Sequence, residues 1–225
     1  MIRPKKIGFT YTDAFRDTFD RENELLIKEE HFPEVIFFGD SLIQYMPLKS
    51  EKLSFSWANR GIPGDVAFYM PHRFAADVLQ LKPQAVVILC GINDIINCLL
   101  QEPPYEKQSI EQCVTTVFMA IVTMAFQAKE KGVAVYLLSI LPIETPMGKN
   151  IDNNQAKIMI EDLNNRLLIL AQQEQYHFMH CYEHFVDTQT GYLKRSDTVD
   201  GVHLKKAGYK KLFSILLPLL EKNSR

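Results

Sequence analysis

The sequence predicts an α/β protein in which helices cover both faces of a parallel β-sheet, forming a three-layer α/β/α sandwich. Short β-branched or aromatic runs alternate with longer segments of helical periodicity along most of the 225 residues. This alternation is typical of right-handed β-α-β crossovers. Several of the short runs are apolar without polar alternation, which indicates strands that are buried on both faces.

The N-terminal part of the chain supplies one helix and two strands. Residues 13–30 carry a few apolar positions among many charges, a pattern typical of an amphipathic surface helix. Residues 35–38 read Val-Ile-Phe-Phe and predict a buried strand that ends at Gly39. Residues 53–59 alternate between apolar and other side chains, so they predict a second strand.

The middle of the chain continues the pattern. Residues 66–81 have apolar side chains near helical spacing, with Pro71 expected to bend or interrupt the helix. Residues 85–89 form a continuous apolar run of strand length. Residues 107–131 predict a long helix that Gly132 closes.

The last part of the chain completes the predicted sheet. A fourth strand is expected at 133–138, a second long helix at 151–175 and a fifth strand at 176–182. A closing helix is expected at 205–220. Because the polar motifs described below are spread over this whole pattern, we predict a single domain over 1–225. It would carry an N-terminal helical extension before residue 35.

Composition and charge exclude several classes of protein. With 25 Lys and Arg against 27 Asp and Glu, the net charge of −2 argues against a nucleic-acid binder. The charged N-terminus is not followed by an apolar stretch of signal-peptide length. The longest weakly polar run, 113–126, contains three threonines and is shorter than the roughly 20 residues that span a bilayer. We therefore expect a soluble, cytoplasmic protein without stable membrane insertion.

The four cysteines form no C-x-x-C pair and are scattered along the chain, so they are predicted to be free thiols. Three histidines, His177, His180 and His184, lie close together near Cys181. If this stretch is a strand, alternation sends His177 and His180 to opposite faces, so no metal site is predicted. No cofactor is expected either.

Ligands of parallel sheets bind beyond the carboxyl ends of the strands, so the residues that follow each strand are the candidate functional residues. Ser41 follows the first strand at a strand-to-helix turn, a good position for a nucleophile, although alone it is more simply a helix N-cap. Gly64 lies in a Gly-Ile-Pro-Gly-Asp stretch that brings a backbone N–H close to a ligand or forms a plain turn. Asn93 offers amide donors for a developing oxyanion, or an Asx turn.

An acid and a histidine precede the last helix. Asp200 lies three residues before His203, where it can fix the tautomer of the ring and leave the other nitrogen free to act as a base. Asp197 also precedes His203, but by six residues, so Asp200 is preferred. Together these motifs supply a nucleophile, oxyanion donors, a base and an orienting acid, which are the groups that acyl transfer requires. Asp40 and Asp94, beside two of these motifs, are interpreted as groups that brace the loops.

These motifs, in this order from Gly39 to His203, resemble those of the SGNH hydrolases, also called GDSL-type esterases and lipases. The stretch from Asn59 to Asp65 looks most similar to the branch that contains the catalytic subunits of platelet-activating-factor acetylhydrolase. The resemblance implies a flavodoxin-like sheet of five parallel strands in the order 2-1-3-4-5. Leu204 stands where many relatives have a proline, and this is expected to affect the loop only.

The resemblance also implies roles for individual residues. Ser41 would be the nucleophile, His203 the general base and then the acid, and Asp200 the residue that orients His203. The oxyanion hole would combine the backbone N–H groups of Ser41 and Gly64 with the side-chain amide of Asn93. Gly64 is chosen over Gly61 because it directly precedes Asp65, as in the family pattern.

The expected activity is hydrolysis of a small-molecule carboxylic ester, with a short acyl group such as acetyl on a sugar or lipid. A lysophospholipase or thioesterase for longer chains, an acyltransferase and a catalytically silent binding module of the same fold remain open. Apolar residues near the motifs are candidates to line an acyl pocket, although such residues more often pack in the core: Leu42, Tyr45, Met46, Ile95, Ile96 and the loop 141–154. The helix at 107–131 is a candidate surface for a homo-oligomer.

Overall fold

The fold is built on a five-stranded parallel sheet. The computed structural model describes residues 10–145, 148 and 150–223. The strand order β2-β1-β3-β4-β5 confirms the order implied by the resemblance. The strands are β1 Val35–Gly39, β2 Trp57–Gly61, β3 Ala85–Leu89, β4 Ala134–Leu138 and β5 His177–Met179.

The two central strands explain why the sheet is predictable. Every residue of β1 and of β3 is buried, as expected for apolar runs covered on both faces. In the register of the sheet, Gly39 pairs with Gly61 on β2 and with Leu89 on β3. The carboxyl ends of these three strands therefore lie side by side, and the loops that follow them share one edge of the sheet.

Eight α-helices are assigned within the described residues. The long helix α5 contacts α3, α4, α6 and β4. Gly132 follows α5 with φ of +72°, a conformation that favours glycine and ends the helix as predicted. The helices are α1 Thr10–Lys28, α2 Ser41–Gln44, α3 Pro71–Asp77, α4 Ile92–Leu100, α5 Ile110–Glu130, α6 Asn153–Glu174, α7 Tyr182–Phe185 and α8 Lys206–Asn223.

Helix α5 is, in the part of the chain that the structure describes, the one helix long and apolar enough to cross a membrane by length and composition. The core helix of a soluble protein meets the same criterion. Eight residues of α5 are buried in the protein, and its first turn is closed by a capping box between Ser109 and Gln112. One face of the helix therefore packs in the sandwich, while Met119 and Phe126 on its other side are about half exposed.

Most element boundaries differ from the sequence prediction by up to three residues, and three elements differ for clear physical reasons. Strand β2 begins at Trp57 rather than at 53, because Glu34 accepts hydrogen bonds from Ser56 and parallel pairing starts only after this clamp. The helix predicted at 66–81 begins at Pro71, whose fixed φ suits the first helical position, and it is followed by a short 3₁₀ helix at Leu79–Leu81. Strand β5 covers only three residues of the predicted 176–182.

Two helices, α4 and the short α7, are absent from the sequence prediction, and α4 is the longer of them. Its apolar residues Ile92, Ile95 and Ile96 are all buried, so the short segment has one face in the core. These isoleucines have the i, i+3, i+4 spacing of one helix face, a local pattern that indicates a helix directly after β3.

The prediction of four free thiols is wrong for two cysteines. Cys98 on α4 and Cys113 on α5 form a disulfide, while Cys90 and Cys181 are free and buried. The two bonded cysteines lie on helices that pack against each other, 15 residues apart in sequence. A pairing of this kind has no local motif, so the absence of C-x-x-C carried no information about it.

Candidate active site

Ser41 occupies the turn between strand β1 and the short helix α2. Asp40 caps this helix, since its Oδ1 accepts the backbone N–H of Leu42 at 2.9 Å. The Ser41 side chain is nearly buried, and its Oγ lies 2.9 Å from Nε2 of His203. These two residues are 162 positions apart in sequence, so the fold brings them together.

Asp200 organises the loop that carries His203. Its Oδ2 lies 2.6 Å from Nδ1 of His203, and its Oδ1 accepts the backbone N–H groups of Val202 and His203 at 3.0 and 2.8 Å. Gly201 has φ of +91°, and a Cβ there would lie 1.8 Å from the carbonyl oxygen of Glu144. Only glycine fits this tight turn, which holds the acid and the imidazole in one geometry.

The electrostatics of this pair favour an ionised carboxylate. Burial raises the pKa of Asp200, but hydrogen bonds from the side chain and backbone of His203 and from the backbone of Val202 bring its pKa below the ordinary value. The side chains of His203 and Asp200 remain 33% and 27% exposed, so the imidazole can exchange a proton with an incoming substrate.

Asp197 has a different partner. Its carboxylate forms an ion pair with Lys211 of helix α8. Asp200 is therefore the acid that contacts His203, and Asp197 fixes the start of α8 to the preceding loop. Which of the two acids supports activity stays a prediction that substitution can test.

The three candidate oxyanion donors lie just beyond β1, β2 and β3. Ser41 begins α2, Gly64 lies in the loop after β2, and Asn93 lies in the first turn of α4. Within the described residues, the backbone N–H groups of Ser41 and Gly64 have no protein acceptor. Gly64 is exposed with φ of +75°, and no atom lies within 4 Å of the position that a Cβ would take. The Asn93 amide donates to the backbone carbonyl of Asp65 at 2.9 Å, which joins α4 to the loop after β2.

The alternative glycine, Gly61, has a structural reason of its own. A Cβ at Gly61 would lie 2.3 Å from the backbone nitrogen of Gln44, so the residue must be small for β2 to pack beside α2. Its N–H already donates to the side chain of Asn59. Gly64 is thus the glycine of this block with an available N–H.

A buried ionic cluster around Arg73 fixes the loop that carries Gly64. The Arg73 guanidinium donates to Asp65 at 2.8 Å and to Asp77 at 2.9 Å. It also donates to the backbone carbonyls of Gly39 and Arg60, at the ends of β1 and β2. One buried side chain therefore ties two strand ends to the loop beyond them.

The cluster continues to the N-terminal helix. Asn23 of α1 donates to Asp77 and accepts two hydrogen bonds from Arg60, and Arg60 also pairs with Glu22. Sequence reasoning missed this cluster. A partial signal was available, because Arg73 and Asp77 are spaced i,i+4 in a predicted helix.

Asp94 and Asp40 are loop-bracing residues, as interpreted from the sequence. Asp94 accepts the backbone N–H groups of Ala67 and Phe68 and the hydroxyl of Tyr105, at 2.8, 3.3 and 2.5 Å. Burial raises the pKa of Asp94 to about 6, despite these hydrogen bonds. Burial likewise raises the pKa of Asp40 to about 7, and the Oδ2 atom of Asp40 has no hydrogen-bond partner.

Most apolar residues proposed for an acyl pocket belong to the core instead. Leu42, Met46, Ile95 and Ile96 are at most 5% exposed and pack in the main hydrophobic cluster. Tyr45 is different, because it is half exposed and its ring meets that of His203 edge-on. Part of the loop 141–154, at 146, 147 and 149, lies outside the described residues.

The structure offers no support for a metal-binding role of the region around Cys181. In the ranges that the structure describes, no group of three or more His, Cys, Asp or Glu side chains is arranged to hold a metal ion. His177 stacks on Tyr136, and Cys181 is buried.

Comparison with known proteins agrees with this architecture. The sequence profile of the GDSL-like Lipase/Acylhydrolase family matches residues 37–211. Platelet-activating factor acetylhydrolase IB subunit alpha1 of Rattus norvegicus is 29% identical over 198 residues, which cover 84% of this chain and 77% of that protein. The Homo sapiens protein of the same name is equally similar.

Solved structures show the same fold. A GDSL-like lipase from Bacteroides thetaiotaomicron is 25% identical with a TM-score of 0.74, covering 92% of this chain and 97% of that one. An acetylxylan esterase from Geobacillus stearothermophilus has a TM-score of 0.65 at 17% identity, covering 83% and 93% of the two chains, and shows the fold alone.

The five-stranded parallel sheet in this order, with a serine, a histidine and a carboxylate at its edge, is the arrangement of the SGNH class of proteins. Within that class, the chain belongs to the GDSL-like lipase/acylhydrolase family.

Proposed function

We propose that this protein is a serine esterase that hydrolyses short-acyl carboxylic esters through an acyl-enzyme. The observation that carries the proposal is the continuous contact from Asp200 to His203 to Ser41, at 2.6 and 2.9 Å. A nucleophile hydrogen-bonded to a base, which is itself oriented by an acid, is the arrangement that nucleophilic catalysis requires.

The reaction proceeds in two steps. Ser41 Oγ attacks the ester carbonyl carbon while Nε2 of His203 takes its proton, and the carbonyl oxygen becomes an oxyanion held by the N–H groups of Ser41 and Gly64 and the amide of Asn93. The C–O bond then breaks, and His203 returns the proton to the departing alcohol. Water repeats the sequence on the acyl-enzyme, releasing the carboxylic acid and restoring Ser41.

Asp200 supports both steps without itself taking the proton. Its contact with Nδ1 keeps Nε2 free to accept a proton and stabilises the imidazolium that forms. The lowered pKa of Asp200 favours this role, since the carboxylate stays ionised in the neutral range. The reaction balances with ester and water alone, so it calls for no cofactor.

The short acyl group is supported by two observations. The names of two kinds of similar protein refer to acetyl groups, the acetylhydrolase subunits and the acetylxylan esterase. In addition, Leu42, Ile95 and Ile96 are packed in the core, so these three side chains offer no exposed surface to an acyl chain. Action on a small-molecule ester in the cytoplasm is part of the same proposal.

A panel of p-nitrophenyl esters with acyl chains of about two to sixteen carbons tests the proposal. We expect the highest kcat/KM with acetyl and a loss of activity to background in Ser41→Ala. Ser214→Ala, an exposed serine on α8, is the matched control and should retain full activity. A preference for long chains would favour the lysophospholipase or thioesterase alternative, and hydrolysis that survives Ser41→Ala would refute the mechanism.

A further inference from the structure

A cavity of about 790 Å³ opens beside His203. One wall is the segment after α2, residues 45–51, and the other is the beginning of α8, residues 204–213. Val199 and Asp200 lie at its edge, but neither Gly64 nor Asn93 lines it. The cavity is therefore on the histidine side of Ser41 and away from the candidate oxyanion donors.

The position of the cavity decides which half of an ester it can hold. In the proposed mechanism, the departing oxygen must reach Nε2 of His203 to receive its proton. The carbonyl oxygen must at the same time reach the donors of Ser41, Gly64 and Asn93. An ester bound in this way directs its alcohol half toward the histidine side, where the cavity is.

The inner surface of the cavity is apolar. Pro47, Leu204 and Phe213 line it together with the ring of Tyr209. The Tyr209 hydroxyl is occupied, because it donates to the backbone carbonyl of Leu42 at 3.0 Å. Apolar surface of this kind favours an alcohol with a hydrocarbon or aromatic body.

Two lysines at the rim add a positive charge. Lys206 and Lys210 are exposed, line the cavity and lie i,i+4 on α8. Within the described part of the chain, neither ammonium group has a carboxylate within 4.0 Å or a hydrogen-bond acceptor. The neighbouring lysines are engaged, since Lys205 donates to the carbonyl of Arg195 and Lys211 pairs with Asp197.

The carboxylates of the lining lie apart from the two lysines. Asp200 keeps its negative charge, but its oxygens contact His203 and the backbone of its own loop. Glu51 lies on the opposite wall, so Lys206 and Lys210 form a local positive patch on α8, although the formal charges of the lining sum to zero. Free cations beside an apolar cavity favour a ligand that combines an apolar body with an anionic group.

We infer that this cavity binds the alcohol half of the ester, and that the preferred alcohol carries an apolar body and an anionic group, phosphate or carboxylate, next to Lys206 and Lys210. This inference rests on the proposed function and adds the class of its substrate. The contacts among Ser41, His203 and Asp200 do not depend on which alcohol the ester carries. The inference can therefore fail while the esterase proposal stands.

The charge preference is tested with aryl acetates that differ in one substituent. The values of kcat/KM are measured for 4-acetoxybenzoate, 4-acetoxyphenyl phosphate and the neutral 4-acetoxybenzamide, each divided by the rate constant of its hydroxide-catalysed hydrolysis. We expect the normalised kcat/KM of the better anionic ester to be about fivefold higher than that of the neutral ester, which is the effect of one or two exposed ion pairs. The two anionic arms distinguish a phosphate site from a carboxylate site.

Substitutions locate the source of that preference. In the double variant Lys206→Gln/Lys210→Gln, the normalised kcat/KM of the anionic ester divided by that of the neutral ester should fall to about one. In Glu51→Gln this ratio should rise. Lys222→Gln, an exposed lysine in the last turn of the same helix, should keep the wild-type ratio. A wild-type ratio near one in an active enzyme, or a ratio unchanged by the double substitution, would overturn the anionic part of the inference.

Filling the cavity tests which half of the ester it holds. Val199→Trp, at an exposed residue of the lining, should lower kcat/KM for 2-naphthyl acetate relative to methyl acetate by about tenfold or more. The ratio of kcat/KM in Val199→Trp to kcat/KM in wild type should be the same for every ester from phenyl acetate to phenyl hexanoate. Val199→Ala should have wild-type values of kcat/KM. An effect that grows with acyl length instead would assign the cavity to the acyl chain. Absence of hydrolysis with every ester would count against the proposed function itself.

Discussion

Two clusters of charged side chains lie at the same edge of the sheet and differ in their access to solvent. In the pair of Asp200 and His203, 27% and 33% of the side-chain surface is exposed. In the cluster of Arg73, Asp65 and Asp77, no side chain is more than 4% exposed. The ion pairs have similar lengths, so the contrast lies in their surroundings.

The difference in exposure matches a difference in task. A base that gives and takes protons must be reachable by substrate and water, and its loop needs only local hydrogen bonds to hold it. A cluster that fixes the geometry of the loop carrying Gly64 is more effective when it is buried, because a buried charged hydrogen bond is rigid and costly to break. We therefore expect substitutions in the exposed pair to change rate, and substitutions in the sealed cluster to change stability.

Of the two acids that precede His203, Asp200 is expected to have the larger effect on rate when it is changed to Asn. In serine hydrolases with similar geometry, this change lowers kcat by about 10⁴-fold, because the histidine adopts the wrong tautomer. Asp197→Asn should lower kcat far less, since Asp197 contacts Lys211 and not His203. The kcat values of the two variants with p-nitrophenyl acetate give the comparison, and a greater loss in Asp197→Asn would reverse the assignment.

The next largest effect is expected for Arg73→Gln, on stability. Removing Arg73 leaves Asp65 and Asp77 buried without their cation, which costs about 3–5 kcal/mol of the free energy of unfolding. Arg166→Gln breaks an ion pair on the surface and should cost at most about 1 kcal/mol. Urea denaturation measures both, and Arg73→Lys serves if the Gln variant does not fold. Equal losses at the two sites would contradict the contrast between sealed and exposed charges.

Asn93→Ala is expected to reduce rate without a matching loss of stability. Loss of one oxyanion donor typically lowers kcat by about 10²–10³-fold. The deleted amide also makes one hydrogen bond to the carbonyl of Asp65, a contribution of about 1 kcal/mol to stability. Single-turnover kinetics with p-nitrophenyl acetate would show the defect, and a kcat within tenfold of wild type would exclude Asn93 as a donor.

The last prediction concerns Asp40, and its effect appears only as a function of pH. Burial raises the pKa of Asp40 to about 7 from 3.8, so the folded protein holds this proton more tightly than the unfolded chain. The resulting contribution to stability is complete below about pH 3.8 and is lost as the pH rises through about 7.

Asp40→Asn keeps the helix cap and removes this titration. The free energy of unfolding should then fall less between pH 4 and pH 8 in the variant than in the wild type. Asp162→Asn, at a partly exposed surface residue, is the control. Its free energy of unfolding should change between pH 4 and pH 8 as much as that of the wild type. Parallel curves for Asp40→Asn and wild type would show that Asp40 does not titrate in this way.

The same contrast explains how much the sequence could predict. Strands β1 and β3 are apolar on both faces, so their runs were recognised within one residue. The candidate site was predictable because each of its residues follows a strand or precedes the last helix. Its parts are recognised by local motifs, even though 162 residues separate Ser41 from His203.

The sealed features were not predictable in the same way. Apart from the i,i+4 pair of Arg73 and Asp77, the Arg73 cluster joins α1, β1, β2 and α3 through contacts between residues far apart in sequence. The disulfide between Cys98 and Cys113 depends on how two helices pack. The predicted start of β2 is too early because Phe55 is buried outside the sheet. Its position two residues before Trp57 gives the same alternating pattern as a strand residue. In each case tertiary packing decided the outcome.

The most direct test of the account is labelling of the protein with a fluorophosphonate probe, followed by mass spectrometry of the modified peptide. The account predicts one equivalent of label on Ser41, with labelling strongly slowed in His203→Asn and Asp200→Asn. Folded wild-type protein that takes up no label, or takes it up on another residue, would contradict the central claim that Ser41 is a nucleophile activated by His203.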